Sequence, residues 1–231
     1  MDPCIIQTYS GVGFDANNPS PSMIRLDDIA RGLAFQCRFN GHVSRFYSVA
    51  EHSARAAVLA AVWGREAQRA VLLHDAAEAY LGDLVSPLKN AHLGIEYRAM
   101  EGHALNAIAE RYGVDFACWA DEIKQTDVAM LSLEREHLIP DQVGEWPDLP
   151  PAPCMWDGLG LAPEAAMDQF LQTADALGIT DPAVPVSVDP RKYWFNHRPL
   201  RVRDSATANY DLAEDADGPD GHHVPREFAD D

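Results

Sequence analysis

Apolar residues recur at helical spacing in successive segments of this chain, and this pattern restricts it to a helical fold. The clearest segment begins at Ser48, with Glu51 three positions later, a capping box that opens an alanine-rich run. A shorter helix is predicted from Leu26, with Asp27 or Asp28 as its cap. Further helices are predicted at 65–80, 96–113, 121–138 and 163–178. The sequence therefore predicts an all-α helical bundle.

The length of 231 residues predicts one sizeable core with an added tail. Residues 1–23 are rich in Gly, Pro, Asn and Ser and predict an irregular segment, with room for a short hairpin at 5–11. Residues 24–178 hold the helical pattern and form the predicted domain. Residues 179–231 predict a C-terminal arm followed by an acidic, flexible tail.

The composition excludes several classes of partner. A net charge of −18 argues against nucleic acid, because proteins bind its phosphates through a basic surface. Small anionic ligands stay compatible with this net charge, since a cation and a few arginines can make one pocket locally positive.

Four cysteines without a CxxC pair predict reduced thiols. No leader pattern or apolar run of membrane-spanning length is found, so we expect a cytoplasmic protein without a membrane partner.

The doublet His74-Asp75 is the clearest candidate for chemistry. The apolar run AVLL leads into it, and Glu78 follows one helical turn later. Half-buried imidazole and carboxylate groups are unfavourable unless they are paired or bind a metal. His52 on the preceding helix and Asp127 on a later one could complete a mixed nitrogen and oxygen ligand set. A His-Asp dipeptide alone is common by chance, and the alternative is a structural or surface role.

Three stretches, YSVAEHS, LLHDAAEAYLGDLVSPLK and KQTD, carry a family resemblance in their order and spacing. They resemble the HD-domain metal-dependent phosphohydrolases, in particular the bacterial 5'-deoxynucleotidase branch and its phage-encoded deoxynucleotide hydrolase relatives. The resemblance covers about residues 24–138. It implies an HD-domain helical bundle with a five-helix core, which agrees with the periodicity.

The resemblance also implies the ligands of one divalent transition metal, which would be cobalt, manganese or zinc. The residues that match the family's ligand pattern are His52, His74, Asp75 and Asp127. Thr126 stands before Asp127 where the family usually has a small residue, so a helix-surface role is the alternative for this Asp.

Two further acidic residues match catalytic positions of the family. Glu78 would orient or deprotonate the water at the metal, with a brace to His74 as the alternative. Asp83 would protonate the leaving oxygen or contact the sugar, with capping of the next segment as the alternative.

Cationic and aromatic residues would bind the substrate. Arg38 matches the arginine that this family places before an aromatic residue, so it would bind phosphate and Phe39 would stack on the base. Arg45 and Lys89 would be supporting donors, although each could equally be a solvated surface charge.

The function expected from this resemblance is metal-dependent hydrolysis of a phosphoester in a nucleotide, with release of the 5'-phosphate from deoxynucleoside monophosphates preferred. The alternatives are a deoxynucleoside triphosphate triphosphohydrolase, a nucleotide sensor that binds without cleaving, and a structural helical protein. The partner would be the small-molecule nucleotide. We also expect a homo-oligomer, a dimer or higher. The aromatic-basic patch around Trp194 could contact a second subunit, form a packed arm or cover the pocket, and the first two roles are preferred.

Overall fold

The computed structural model describes residues 4–92, 94–140, 146, 148–152 and 158–181. The chain begins with an antiparallel hairpin of β1 (Ile5–Gln7) and β2 (Gly13–Asp15), in which Ile6 pairs with Phe14. A hairpin was predicted here within residues 5–11, but the second strand lies further along the chain. Phe14 is fully buried and stacks on Tyr80 with the ring centroids 4.2 Å apart. The hairpin is thereby attached to the helical core.

The remaining elements are helical. They are α1 (Leu26–Ala34), α2 (Val49–Leu59), α3 (Arg65–Leu73), α4 (Glu78–Leu81), α5 (Ser86–Lys89), α6 (Gly94–Tyr112), α7 (Ala120–Leu138) and α8 (Pro163–Ala176). Short 3-10 turns lie at Pro21–Met23, Arg38–Gly41 and Ala60–Trp63. The described part of the chain is thus mostly helical, as the all-α prediction expected.

The N-terminal cap of α2 is the predicted residue, whereas that of α1 is not. Ser48 caps α2 by accepting a hydrogen bond from the Glu51 N–H, as predicted. The other half of the predicted capping box is not formed, because the Glu51 carboxylate accepts from the N–H groups of Gly160 and Leu161. The proposed cap of α1 was wrong: the N-cap is Arg25, and Asp28 instead accepts hydrogen bonds from the backbone and hydroxyl of Ser10. Asp28 therefore ties the N-terminal segment to α1.

The helix predicted at 65–80 is divided into α3 and α4 by a turn at 74–77. His74 Nδ1 lies 2.6 Å from the carbonyl oxygen of Val71, the acceptor that the N–H of Asp75 would use in a continuous α-helix. The following hydrogen bonds, from Ala76 to Leu73 and from Glu78 to Asp75, span three residues. The imidazole therefore competes with the backbone at the point where the helix is interrupted.

The core is formed where α1, α2, α3 and α8 pack together. Phe170 of α8 is fully buried among alanines and leucines of the other helices. Ile179, at the start of the predicted C-terminal arm, is also buried in this core. Residues 182–231, which include Trp194 and the predicted tail, lie outside the described residues. Within the described residues, no helix is both long enough and apolar enough to cross a membrane.

Gly32 permits the close contact between α1 and α4. A Cβ atom at Gly32 would lie 2.6 Å from the carbonyl oxygen and 2.8 Å from the Cβ of Ala79. We expect Gly32→Ala to destabilise the fold by about 1–3 kcal/mol through overpacking, in spite of the better helix propensity of alanine. At Gly102 of α6 an added Cβ would meet nothing within 4 Å, so Gly102→Ala is the matched control and should stabilise the protein by about 0.5–1 kcal/mol. Urea denaturation measures both changes, and equal stability of the two variants would contradict this packing argument.

Candidate functional site

Three candidate ligands converge between α2 and the turn that follows α3. One ligand atom from each of His52, His74 and Asp75 lies within 4.8 Å of the other two. His52 is fully buried on α2, and its ring centroid is 5.5 Å from that of His74. The carboxylate Oδ2 of Asp75 is 3.2 Å from His74 Nε2 and 3.7 Å from His52 Nε2. These three residues could hold a metal ion.

Both imidazoles are oriented through their Nδ1 atoms. His74 Nδ1 is 2.6 Å from the carbonyl oxygen of Val71, and His52 Nδ1 is 2.6 Å from Oε1 of Glu134. Because a carbonyl and a carboxylate can only accept, each Nδ1 donates its hydrogen. Both Nε2 atoms are buried, and neither has a hydrogen-bond partner among the described residues. Two buried and unpartnered ring nitrogens that face a carboxylate fit a divalent cation with mixed nitrogen and oxygen ligands.

Asp75 carries the negative charge at the centre of the group. Its burial opposes ionisation, but His74, His52 and Arg38 outweigh that effect and lower the pKa of Asp75 to about 2. The carboxylate is therefore ionised at neutral pH, as a metal ligand must be.

Asp127 lies next to this group without being one of the three close ligands. Its Oδ1 atom is 3.7 Å from His52 Nε2, and its side chain is 37% exposed on α7. Asp127 also lines the adjoining cavity. The structure therefore places it within reach of an ion that is bound by His52.

A cavity of about 550 Å³ adjoins the three ligands. Its polar wall is formed by Arg38, Asp75, Glu78, Asp83, Lys89 and Asp127. Its apolar wall includes Phe39, Leu84, Val85, Pro87, Leu131 and Trp146. The volume lies in the range of small-molecule sites, and charged and aromatic surfaces meet in the same space. Because its polar wall carries four carboxylates and two cations, the cavity could accept an anionic ligand together with a bound cation, and its apolar wall could contact a flat apolar group.

Arg38 and Lys89 are the cations of the cavity wall. Arg38 Nη1 is 3.6 Å from Asp75, and Nη2 is 3.1 Å from Glu134. Lys89 Nζ is 2.7 Å from Glu78 Oε1 and 3.0 Å from Glu101 Oε1. Burial lowers the pKa of Lys89, but these two carboxylates outweigh it and raise that pKa above its usual range. Both cations therefore stay charged on the cavity wall, where each is paired with two carboxylates.

Glu78 and Asp83 are held in ways that favour proton exchange. Burial, with Asp75 and Asp83 as neighbours, raises the pKa of Glu78 to about 9, while Lys89 opposes this shift. Burial also raises the pKa of Asp83, although Arg38 opposes it. Gln36 fixes this segment, since its amide donates to the carbonyl of Glu78 and accepts from the N–H of Asp83.

Phe39 enters the cavity from a backbone of unusual conformation. Phe39 and Asn40 have φ angles of 56° and 52°, in the left-handed region that residues other than glycine rarely adopt. Such residues are each disfavoured by about 1–3 kcal/mol and concentrate at functional sites. The flanking chain is held by the N–H of Arg38, which donates to the carbonyl of Tyr47 at 2.9 Å. The strained turn thus presents an aromatic ring to the ligand space.

Arg45 does not line this cavity. Its guanidinium donates to the carbonyl of Leu159 at 3.4 Å, and its side chain lies beside Gly160. The other residues singled out from the sequence either form the three-ligand group or line the cavity beside it.

Sequence reasoning missed Glu134, Trp146 and Glu101. Glu134 lies seven residues after Asp127, two helical turns along the same face of α7, and this spacing was the available signal. Glu101 contacts Lys89 from α6, and Trp146 lies beyond the end of α7. No local pattern indicated either contact, because both depend on how distant segments pack.

Comparison with known proteins identifies relatives across most of the chain. YfdR of Escherichia coli strain K12, an uncharacterized protein, is 37% identical over 169 residues, which are 72% of this chain and 92% of YfdR. The uncharacterized protein RCAP_rcc00048 of Rhodobacter capsulatus is 37% identical over 138 residues, which are 56% of this chain and 70% of that protein. No protein-family model matches the chain. At this identity and coverage, the chain belongs to the same protein family as YfdR of Escherichia coli.

Proposed function

We propose that this protein is a metal-dependent phosphohydrolase of the HD-domain superfamily that releases the 5'-phosphate of deoxynucleoside monophosphates. The observation that carries the proposal is the position of His52, His74 and Asp75 beside a cavity with two cations on its wall. Metal ligands next to cationic donors are the arrangement that phosphoryl-transfer enzymes use to bind and polarise a phosphate. The HD-domain assignment and the choice of deoxynucleotides rest on the motif resemblance.

The two walls of the cavity support a nucleotide rather than a simple phosphate ester. Arg38 and Lys89 suit the phosphate, and the rings of Phe39 and Trp146 suit a flat base. A base that stacks on an aromatic ring gains about 1–3 kcal/mol, so the apolar wall would contribute substantially to binding. The volume of about 550 Å³ is large enough for phosphate, sugar and base together.

The proposed reaction is attack of water on phosphorus with rupture of the phosphorus–ester oxygen bond. A divalent ion held by His52, His74 and Asp75, with Asp127 in reach, would polarise the phosphoryl group and lower the pKa of water. The same ion would lower the raised pKa of Glu78, so that its carboxylate would take the proton of the attacking water, and Asp83 would donate a proton to the departing ester oxygen. The products are inorganic phosphate and the nucleoside alcohol, so no covalent enzyme intermediate is needed.

Arg38 stabilises the negative charge on the phosphoryl oxygens, because its guanidinium stays charged and faces the cavity. Lys89 lies between Glu78, the proposed general base, and the substrate site. Its ammonium contacts Glu78 and could also reach a phosphate, which would draw it away from the carboxylate. Phosphate binding would therefore free Glu78 to accept a proton.

A substrate panel tests the proposal. Protein stripped of metal by chelation is reloaded with Mn²⁺, Co²⁺ or Zn²⁺ and incubated with deoxynucleoside and ribonucleoside mono-, di- and triphosphates, and the products are identified by ³¹P NMR. We expect metal-dependent inorganic phosphate from the deoxynucleoside monophosphates and none from the stripped protein.

Other products would select among the alternatives. Release of tripolyphosphate would identify a triphosphohydrolase, and binding of a nucleotide without turnover would identify a sensor. No metal-dependent product and no nucleotide binding would overturn the proposal.

A further inference from the structure

Glu134 of α7 contacts two different functional groups through its two carboxylate oxygens. Oε1 is 2.6 Å from His52 Nδ1, and Oε2 is 3.1 Å from Arg38 Nη2. The side chain has no solvent exposure. A buried carboxylate is unfavourable unless it is fully compensated, and here the compensation comes from one imidazole and one guanidinium.

The first contact determines which nitrogen of His52 can bind a metal. Because Glu134 accepts the Nδ1 hydrogen, the lone pair of Nε2 points to the space shared with His74 and Asp75. A carboxylate behind a ligating imidazole also raises its basicity and fixes the orientation of the ring.

The second contact orients Arg38 toward the cavity. The guanidinium is planar and rigid, so holding Nη2 against Glu134 sets the direction of Nη1, which lies 3.6 Å from Asp75. Arg38 is 12% exposed, and its exposed part lines the cavity. The same carboxylate therefore positions a metal ligand, His52, and the main hydrogen-bond donor to an anion, Arg38.

We infer that Glu134 is a positioning residue that couples the His52 metal ligand to the Arg38 anion site. The part that concerns the anion rests on the proposed function, whereas the part that concerns the metal does not need any nucleotide. In this arrangement, one carboxylate fixes the positions of the ligand imidazole and the guanidinium relative to each other. An anion can therefore contact the metal ion and Arg38 at the same time.

Glu134→Gln is the sharpest test, because glutamine keeps the shape and removes the charge. Its carbonyl could accept from His52 or from Arg38 but not from both, and its amide group would then face the other donor. We expect the Co²⁺ affinity of Glu134→Gln to fall by about 10- to 100-fold, with an altered visible Co²⁺ spectrum. Binding of inorganic phosphate to the cobalt-loaded protein should weaken by about tenfold.

Glu136→Gln is the matched control. The substitution is the same and lies on the same helix, but Glu136 is exposed and belongs neither to the three-ligand group nor to the cavity wall. It should leave the Co²⁺ affinity and the phosphate affinity at wild-type values. Glu134→Asp keeps the charge with a shorter side chain, so it should recover part of the Co²⁺ affinity.

A measurement on the wild-type protein tests the inference even if Glu134→Gln fails to fold. In the zinc-loaded protein, a long-range ¹H–¹⁵N spectrum should show His52 with its hydrogen on Nδ1 and the metal on Nε2. Zinc on Nδ1 would overturn the inference, as would a folded Glu134→Gln that binds Co²⁺ as tightly as wild type. Wild-type protein that binds no divalent metal would overturn both this inference and the proposed function.

Discussion

Replacement of His74 by alanine is expected to abolish metal binding and nearly all of the proposed phosphohydrolase activity. His74 supplies one of two buried ring nitrogens that face Asp75, so its loss leaves an incomplete ligand set. A bound cation contributes several kcal/mol to stabilisation of the transition state, and kcat/KM should therefore fall by about 10³-fold or more. Elemental analysis of the purified variant measures the first effect, and phosphate release in added metal measures the second.

His103→Ala provides the control for this experiment, because His103 is an exposed histidine on α6. It should keep both the metal content and the activity of wild type. If His74→Ala retains metal at the wild-type stoichiometry, the three-ligand group is not the metal site. If wild type itself holds only trace metal that neither variant changes, the histidines are structural and the chain is a helical protein without this centre.

The helical fold could be predicted from the sequence because its signals are local. The Ser48 cap and the apolar spacing of α2, α6, α7 and α8 lie within single segments, and the structure contains helices at each of these places. The turn after α3 could not be predicted in this way. Residues 74–77 contain no glycine or proline, and the helix is interrupted where the imidazole of His74 takes the carbonyl of Val71.

The candidate site was only partly predictable, for a related reason. His52, His74 and Asp75 were identified through a motif, and the structure brings their ligand atoms together. Glu134 lies 82 positions from His52, and only the packing of α7 against α2 brings the two side chains into contact. Arg45 illustrates the converse case, because its place near Arg38 in sequence suggested a supporting role, whereas its guanidinium contacts the chain before α8. Sequence spacing predicts neighbours within a helix but not contacts between distant segments.

The second large effect is expected for Glu78→Gln, which should lower kcat by about 10²- to 10⁴-fold while the metal remains bound. Glu78 is 3% exposed, lines the cavity and has one carboxylate oxygen without a hydrogen-bond partner among the described residues. Glutamine keeps the shape of the side chain but cannot accept a proton from water. Metal analysis and steady-state kinetics on the same preparation separate this effect from the loss of a ligand.

The results of Glu78→Gln distinguish three roles for this residue. A fall in kcat with normal metal content assigns Glu78 to proton transfer, whereas a rise in KM alone would assign it to substrate binding. Loss of metal would make it a ligand or a brace of His74 and would contradict the proposed mechanism.

Glu110→Gln, at an exposed position on α6, is the matched control and should keep the wild-type kcat. Because Lys89 bridges Glu78 and Glu101, an intact Tm in Glu78→Gln is also required to show that the lost activity reflects chemistry rather than a displaced α5.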